Sequence, residues 1–168
     1  MKKRGALFIA VILLTACSEK ESEKESEKES PFTIKDAIKK DHVVIQNLSD
    51  KELEIMTGAT KTEYLVPMFA FLDDVKANKE SKLQITVFPK SGKPTTSELH
   101  FINKDKTVFK NNNKTFAMPT GNIECVSILD SNRNLALDGC KGDLNNVFVI
   151  PFGSRDYNLA KAEYKSNK

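Results

Sequence analysis

Tryptophan is absent from this 168-residue chain, histidine occurs twice and cysteine three times. So few imidazole and thiolate groups leave little material for a metal cage. No apolar run reaches the roughly 20 residues that a membrane-spanning helix needs. A surplus of one charge is also missing. The chain has 26 basic and 23 acidic residues, but Lys2, Lys3 and Arg4 stand at its start, and the remainder balances at 23 of each. That balance speaks against nucleic acid as a partner, which asks for a basic stripe or a high domain pI. What is present is ordinary: 39% hydrophobic and 29% charged residues, with Phe as the main aromatic at 10. Such a chain suits one folded domain.

The first seventeen residues have a definite order. Lys2-Lys3-Arg4 precedes an apolar stretch from Gly5 to Leu14. About ten apolar residues are too short to span a bilayer but match the apolar region of a secretory signal peptide. Leu14-Thr15-Ala16-Cys17 follows at once. This resembles the lipobox of bacterial lipoproteins. The likeness implies removal of residues 1–16, diacylglycerol on the Cys17 thiol and Cys17 as the new N-terminus. Each buried CH₂ of an acyl chain such as palmitate contributes about 0.8 kcal/mol, and two chains hold where one binds only reversibly. The expected location is the outer leaflet of the cell membrane, lipid-anchored and facing the extracytoplasmic side. Ser18 carries no acidic inner-membrane retention signal of the Gram-negative type.

Residues 18–30 repeat Ser-Glu-Lys-Glu three times and end on Ser30, with six Glu and three Lys. With no apolar residue, the segment cannot bury a core. As a helix it would stack Glu on Glu and Lys on Lys at i, i+4. Residues 17–30 therefore read as a lipidated cysteine and a solvated tether, reaching about 20 Å as a coil. Residues 31–168 then form a single domain with 20 basic and 17 acidic residues.

Within that domain Thr33 is placed to cap a short helix through Lys40. His42 to Ile45 reads as a strand, and 47–61 as a polar loop with one turn of helix near 50–53. Leu65, Met68, Phe69, Leu72 and Val75 follow helical spacing, predicting a helix over 63–77 with Pro67 in its first turn. After Ser81 the period becomes two. Strands are expected at 83–88, 97–102, 107–109, 123–129, 135–140 and 147–152, with a weak helix over 156–165. Consecutive strands joined by short turns imply an α+β fold: an antiparallel sheet built from hairpins, with two N-terminal helices packed on one face.

Few residue patterns carry chemistry. A turn centred between Asn132 and Arg133 pairs positions that add to 265, which sets Cys125 opposite Cys140. Opposed strand positions lie about 4.5–5.5 Å apart at Cα, within disulfide reach. Asp130-x-Asn132-x-Asn134 begins like a calcium loop, but Leu135 stands where glycine is needed and Lys141 where the bidentate Glu belongs. Asp138 and Asp143 leave open only a weak cation site. Ser91-Gly92-Lys93 lacks the spacing of a phosphate loop. His42 and His100 form no metal-type pair. Lys90, Lys93, Lys104, Lys106, Lys110 and Lys114 make a local basic run with Phe101, Phe109 and Phe116 interleaved. They read either as lysines guarding strand edges or as a surface for an anionic partner.

The chain resembles a family of small Gram-positive lipoproteins that carry a domain of unknown function. Its elements here are Asp36-Ala37-Ile38 leading to Asp41-His42-Val43-Val44, and Leu72-Asp73-Asp74-Val75-Lys76 before Leu83-Gln84-Ile85-Thr86. Cys125 and Leu137-Asp138-Gly139-Cys140 complete them. Where relatives show an acidic Glu-Gly-Asp-Pro turn, this chain has Ser91-Gly92-Lys93-Pro94. The resemblance implies a lipoprotein, an α+β domain and the cysteine pair, and supplies no activity.

Together these readings predict a membrane-anchored module that binds an envelope protein or an anionic wall polymer. It would need no cofactor, no metal and no catalytic residue. Its expected surface gathers Lys90, Lys93, Lys104, Lys106 and His100. The alternative is a small envelope enzyme or enzyme inhibitor working through the His100 and Lys93 region.

Overall fold

The structure, a computed structural model, describes residues 31–114, 118–131, 133–142, 144 and 147–168. The signal segment, Cys17 and the tether lie outside the described residues, as do Phe116, Asn132 and Asp143. Among the described residues the order is α1 (Ile34–Lys39), β1 (Val43–Asn47), α2 (Glu52–Met56), β2 (Thr60–Glu63), α3 (Val66–Lys76) and β3 (Ser81–Phe88). Then follow β4 (Thr95–Asn103), β5 (Lys106–Asn111), β6 (Gly121–Cys125), β7 (Ser127–Asp130), β8 (Asn134–Asp138), β9 (Val147–Pro151) and α4 (Ser154–Ser166).

Local chemistry sets several boundaries. Thr33 caps α1: its hydroxyl accepts from the Asp36 N–H, and the Asp36 carboxylate accepts from the Thr33 N–H at 2.9 Å. This reciprocal pair satisfies two otherwise orphan donors. Pro67 lies in the first turn of α3, where a missing N–H costs nothing. The apolar spacing of α3 buries Met68, Phe69, Phe71 and Leu72.

The fold mixes helices with a mostly antiparallel six-stranded sheet in the order β2-β1-β3-β4-β5-β6. A second sheet runs β7-β8-β9. Two expectations need correction. The helices are not confined to the N-terminal part, because α4 closes the chain over Ser154–Ser166. Nor is every strand hairpin-joined, because β1 and β3 pair in parallel, Val43 beside Ile85 and Ile45 beside Val87. Parallel neighbours need a long crossover. Residues 48–80 provide it, and within them β2 turns back to pair with the other edge of β1. The segment 47–61, expected as a loop, holds α2 and the start of β2.

One face of the large sheet presents Val43, Ile45, Leu83, Ile85, Leu99 and Phe109. These share a single core with α3, with Tyr157 and Ala160 of α4, and with Leu135, Leu137, Val147 and Ile150 of the small sheet. The opposite face carries Thr86 and Phe88, which meet His42 and Phe32 beside α1. Further along, this face is open to solvent.

The run 123–129, read as one strand, breaks at Val126. β6 stays beside β5 while β7 pairs with β8, so the chain changes sheets between two residues. The β7–β8 ladder runs from Ser127 opposite Asp138 to Asp130 opposite Leu135. Its register is the one expected from the turn. Beyond the ladder Cys125 and Cys140 are bonded, with sulfurs 2.05 Å and Cα atoms 3.8 Å apart. The Cα atoms are closer than the roughly 4.5–5.5 Å of opposed ladder positions. Two backbone bonds bracket the pair: Val126 N–H donates to Asp138 O at 3.2 Å, and Lys141 N–H to Glu124 O at 2.8 Å.

Candidate binding surface

The fold does not gather the expected basic surface. Lys90 and Lys93 occupy the β3–β4 turn, whereas Lys104 and Lys106 stand at the β4–β5 turn. β4 separates those turns by nine residues, or about 26 Å at the usual strand rise. The first turn is tied down by Asp50, whose carboxylate accepts from Ser91 N–H at 3.1 Å and Ser91 Oγ at 2.9 Å. His100 lies on the open face of β4, with Nε2 2.7 Å from Glu80 Oε1.

That open face neutralises itself. Register sets Gln84, Glu98, Lys110 and Asn122 in one cross-strand row, and Lys82, His100, Val108 and Glu124 in the next. Glu98 accepts from Gln84 at 2.6 Å and pairs with Lys82 at 3.3 Å. Glu124 meets Lys141 at 2.5 Å and Lys106 at 3.7 Å. The Lys141 hydrogen bond, then the charge of Lys106, hold the Glu124 carboxyl below its ordinary range. Glu98, Lys82 and Glu124 on these rows thus stabilise the sheet through pairs with neighbouring strands and turns, whereas Lys110 has no ion pair to any described residue.

His42 is committed in another way. Its Nδ1 lies 2.8 Å from Thr86 Oγ1, which lies 2.9 Å from Thr96 Oγ1. Its ring faces Phe32. Burial pushes its pKa down, with Lys40 adding to the effect.

A cavity of about 390 Å³ opens where β1 and β3 begin, lined in part by Asp41, Tyr64, Asp74, Ser81 and Lys82. Its polar groups are engaged with their neighbours. Tyr64 donates to Asp41 at 2.9 Å, and both residues hold a left-handed backbone. Asp74 accepts from Lys79 and from Ser81, each at 2.9 Å, and these bonds hold its carboxyl down. Lys82 turns to Glu98. This constellation is a joint between elements that satisfies itself.

The outer face of the small sheet is different. Leu129 of β7 pairs across with Ala136 of β8, which pairs with Phe148 of β9. Leu129 and Phe148 remain 43% and 51% exposed. Phe148 also lines a groove of about 250 Å³ shared with Ile55, Met56, Gly58, Thr60, Arg133, Asn134 and Pro151. Met56 is 55% exposed, and Leu53, one turn earlier on the same side of α2, is 73% exposed. An apolar stripe thus runs from α2 through the groove to Phe148, and Leu129 is exposed on the same side of the small sheet beyond the buried Ala136. Single exposed apolar residues are ordinary, whereas a connected patch marks a contact surface.

Arg133 stands on the groove wall without an ion pair to any described residue. It also lines an adjoining cavity of about 360 Å³ with Thr62, Gly153 and Asp156. Nearby, Thr62 of β2 donates through its hydroxyl to the Pro151 carbonyl, joining the edge of the large sheet to β9.

Met56, Arg133 and Phe148 did not stand out in the sequence. Phe148 lies inside the unbroken apolar run Val147–Ile150, which hides its outward orientation. The signal was the strand period itself, since Val147 and Val149 are buried and Phe148 alternates between them. No family model matches this chain, and no curated protein or solved structure is significantly similar to it.

Proposed function

We propose that this chain is a lipoprotein, anchored through Cys17 at the outer leaflet of the cell membrane, whose domain binds protein at the cell envelope. The observation that carries the binding reading is the exposed apolar stripe of Leu53, Met56 and Phe148, with Leu129 on the same side of the small sheet. Leaving four large apolar side chains in water forgoes burial energy in the free domain, which contact with a partner recovers. The anchor reading rests on the ordered n-region, apolar stretch and Leu14-Thr15-Ala16-Cys17. A cysteine pair joined by a disulfide accords with an oxidising, extracytoplasmic setting. The likeness to small Gram-positive lipoproteins belongs to the same reading.

Two experiments test it. Cells fed an alkyne-bearing palmitate should label the wild-type chain and not Cys17→Ala, and the variant should leave the membrane fraction. An unlabelled wild type sinks the anchor. Crosslinked pull-down from intact cells, against a matched lipoprotein with the same first 30 residues, should enrich protein through residues 31–168 alone. Equal recovery by the control sinks the binding role.

A further inference from the structure

The groove asks for a particular occupant. Its walls are apolar at Ile55, Met56, Phe148 and Pro151, and Arg133 brings to its rim a positive charge with no ion pair to any described residue. At about 250 Å³ it falls below the roughly 300–1,000 Å³ usual for small-molecule sites, and suits one large side chain. A flat lipid surface would leave the concavity unfilled. The complementary element is therefore an apolar side chain flanked by carboxylates on a firm support.

The chain displays that element itself. On α4, Leu159 is 61% exposed. Asp156 lies one turn before it and Glu163 one turn after it, on the same side of the helix. All three line one shallow depression. The inward side of α4 is fixed by Tyr157 and Ala160 in the core, so the outward side is rigidly presented.

We propose that α4 of one copy docks in the groove of a second copy, with Leu159 beside Met56 and Phe148, and Asp156 or Glu163 at Arg133. The two patches adjoin on each copy. The groove and its neighbouring cavity share Gly58, Thr60, Arg133 and Pro151, and that cavity shares Thr62 and Asp156 with the α4 depression. Adjacent complementary patches let two copies exchange contacts around a two-fold axis and close as a dimer. Patches on opposite sides would instead propagate into a filament. The inference rests on the protein-binding reading and names its partner. It does not depend on the lipid anchor.

The test uses the full chain in living cells. Two differently tagged copies are expressed together, one with Phe148 replaced by photoreactive p-benzoyl-phenylalanine. Irradiation should join the copies, and mass spectrometry should place the crosslink in residues 154–166 of the other copy. Leu159→Ser or Arg133→Glu in both copies should each cut the crosslinked dimer by about tenfold, the scale of losing one central contact. Arg133→Glu combined with Asp156→Arg and Glu163→Arg should restore it. These side chains are exposed, so each variant should keep the wild-type melting temperature and disulfide. Absence of a joined dimer overturns the proposal, as does a dimer indifferent to both substitutions or a crosslink to lipid alone. Crosslinking only to a different protein also overturns it, while leaving the broader binding role standing. Loss of acyl label without loss of the dimer would remove the anchor and spare this inference.

Discussion

Both sheets in this domain turn one side to a common core and the other outward, yet the outward sides follow opposite rules. On the large sheet, Glu98, Lys82, Glu124, Lys106 and His100 each find a partner on a neighbouring strand or turn. That face is largely finished from within, with Lys110 left without an ion pair to any described residue. On the small sheet, Leu129 and Phe148 are exposed on either side of the buried Ala136, and Arg133 at the groove has no ion pair to any described residue. The lesson is that lysines adjacent in sequence need not form one surface in the fold. Lys82 and Lys106 are engaged in pairs, Lys90 and Lys93 stand at the opposite end of β4 from Lys104, and the exposed large side chains of the small sheet are apolar.

The comparison assumes that both sheets belong to one cooperative unit. Leu99 of β4 and Leu137 of β8 are both fully buried in the same core. Truncating either to Ala should cost about 2–5 kcal/mol, and urea unfolding should keep a single transition. A split transition for Leu137→Ala alone would make the small sheet a separate body. Reducing the Cys125–Cys140 bond, which spans a separation of 15 residues, should cost about 3 kcal/mol in the chain-entropy picture. Melting with and without reductant measures it. No shift would mean that backbone pairing alone holds the junction between the sheets.

A third test asks whether the α1 side of the large sheet is sealed. Burial lowers the His42 pKa in the folded chain, so the unfolded chain takes the proton first as pH falls. Stability from neutral His42 is thus full above about pH 6.5 and drains away as pH drops through the lower folded value. Wild-type urea midpoints should decline from about pH 7 to pH 5, and His42→Asn should flatten that slope. Carboxylates such as Asp73 and Glu124, held low by Lys168 and Lys141 respectively, lose their contribution only in more acidic solution. An unchanged slope in the variant would place the titration elsewhere. The smallest effect belongs to the finished face. Glu98→Ala removes two half-buried partnerships and should cost about 1 kcal/mol, less in high salt. A larger, salt-insensitive loss would show that this face does more than satisfy itself.

Much of the fold was legible because it is local. The period-two runs of β3, β4 and β5, the α3 spacing, the Thr33 cap and the cysteine register all follow from residues near one another. What stayed hidden depends on distant partners. β2 reads Thr-Lys-Thr-Glu, with no apolar alternation, because it is an edge strand. Nothing in β1 announces a parallel neighbour 40 residues on. The switch at Val126 is invisible within residues 123–129, since only the two sheets explain it. The groove joins Met56 to Phe148 across 92 positions, and neither residue breaks its local pattern.

The parallel pairing of β1 also dictates an order of assembly. The meander from β3 to β6 needs only close neighbours and can zip from its own turns, whereas β1 can pair locally with β2 but must reach β3 across about 40 residues. Contacts of short sequence separation close fastest. The strand that leaves the ribosome first is therefore among the last to be knitted in. Until it arrives, one side of β3 is a bare edge that any extended chain can copy.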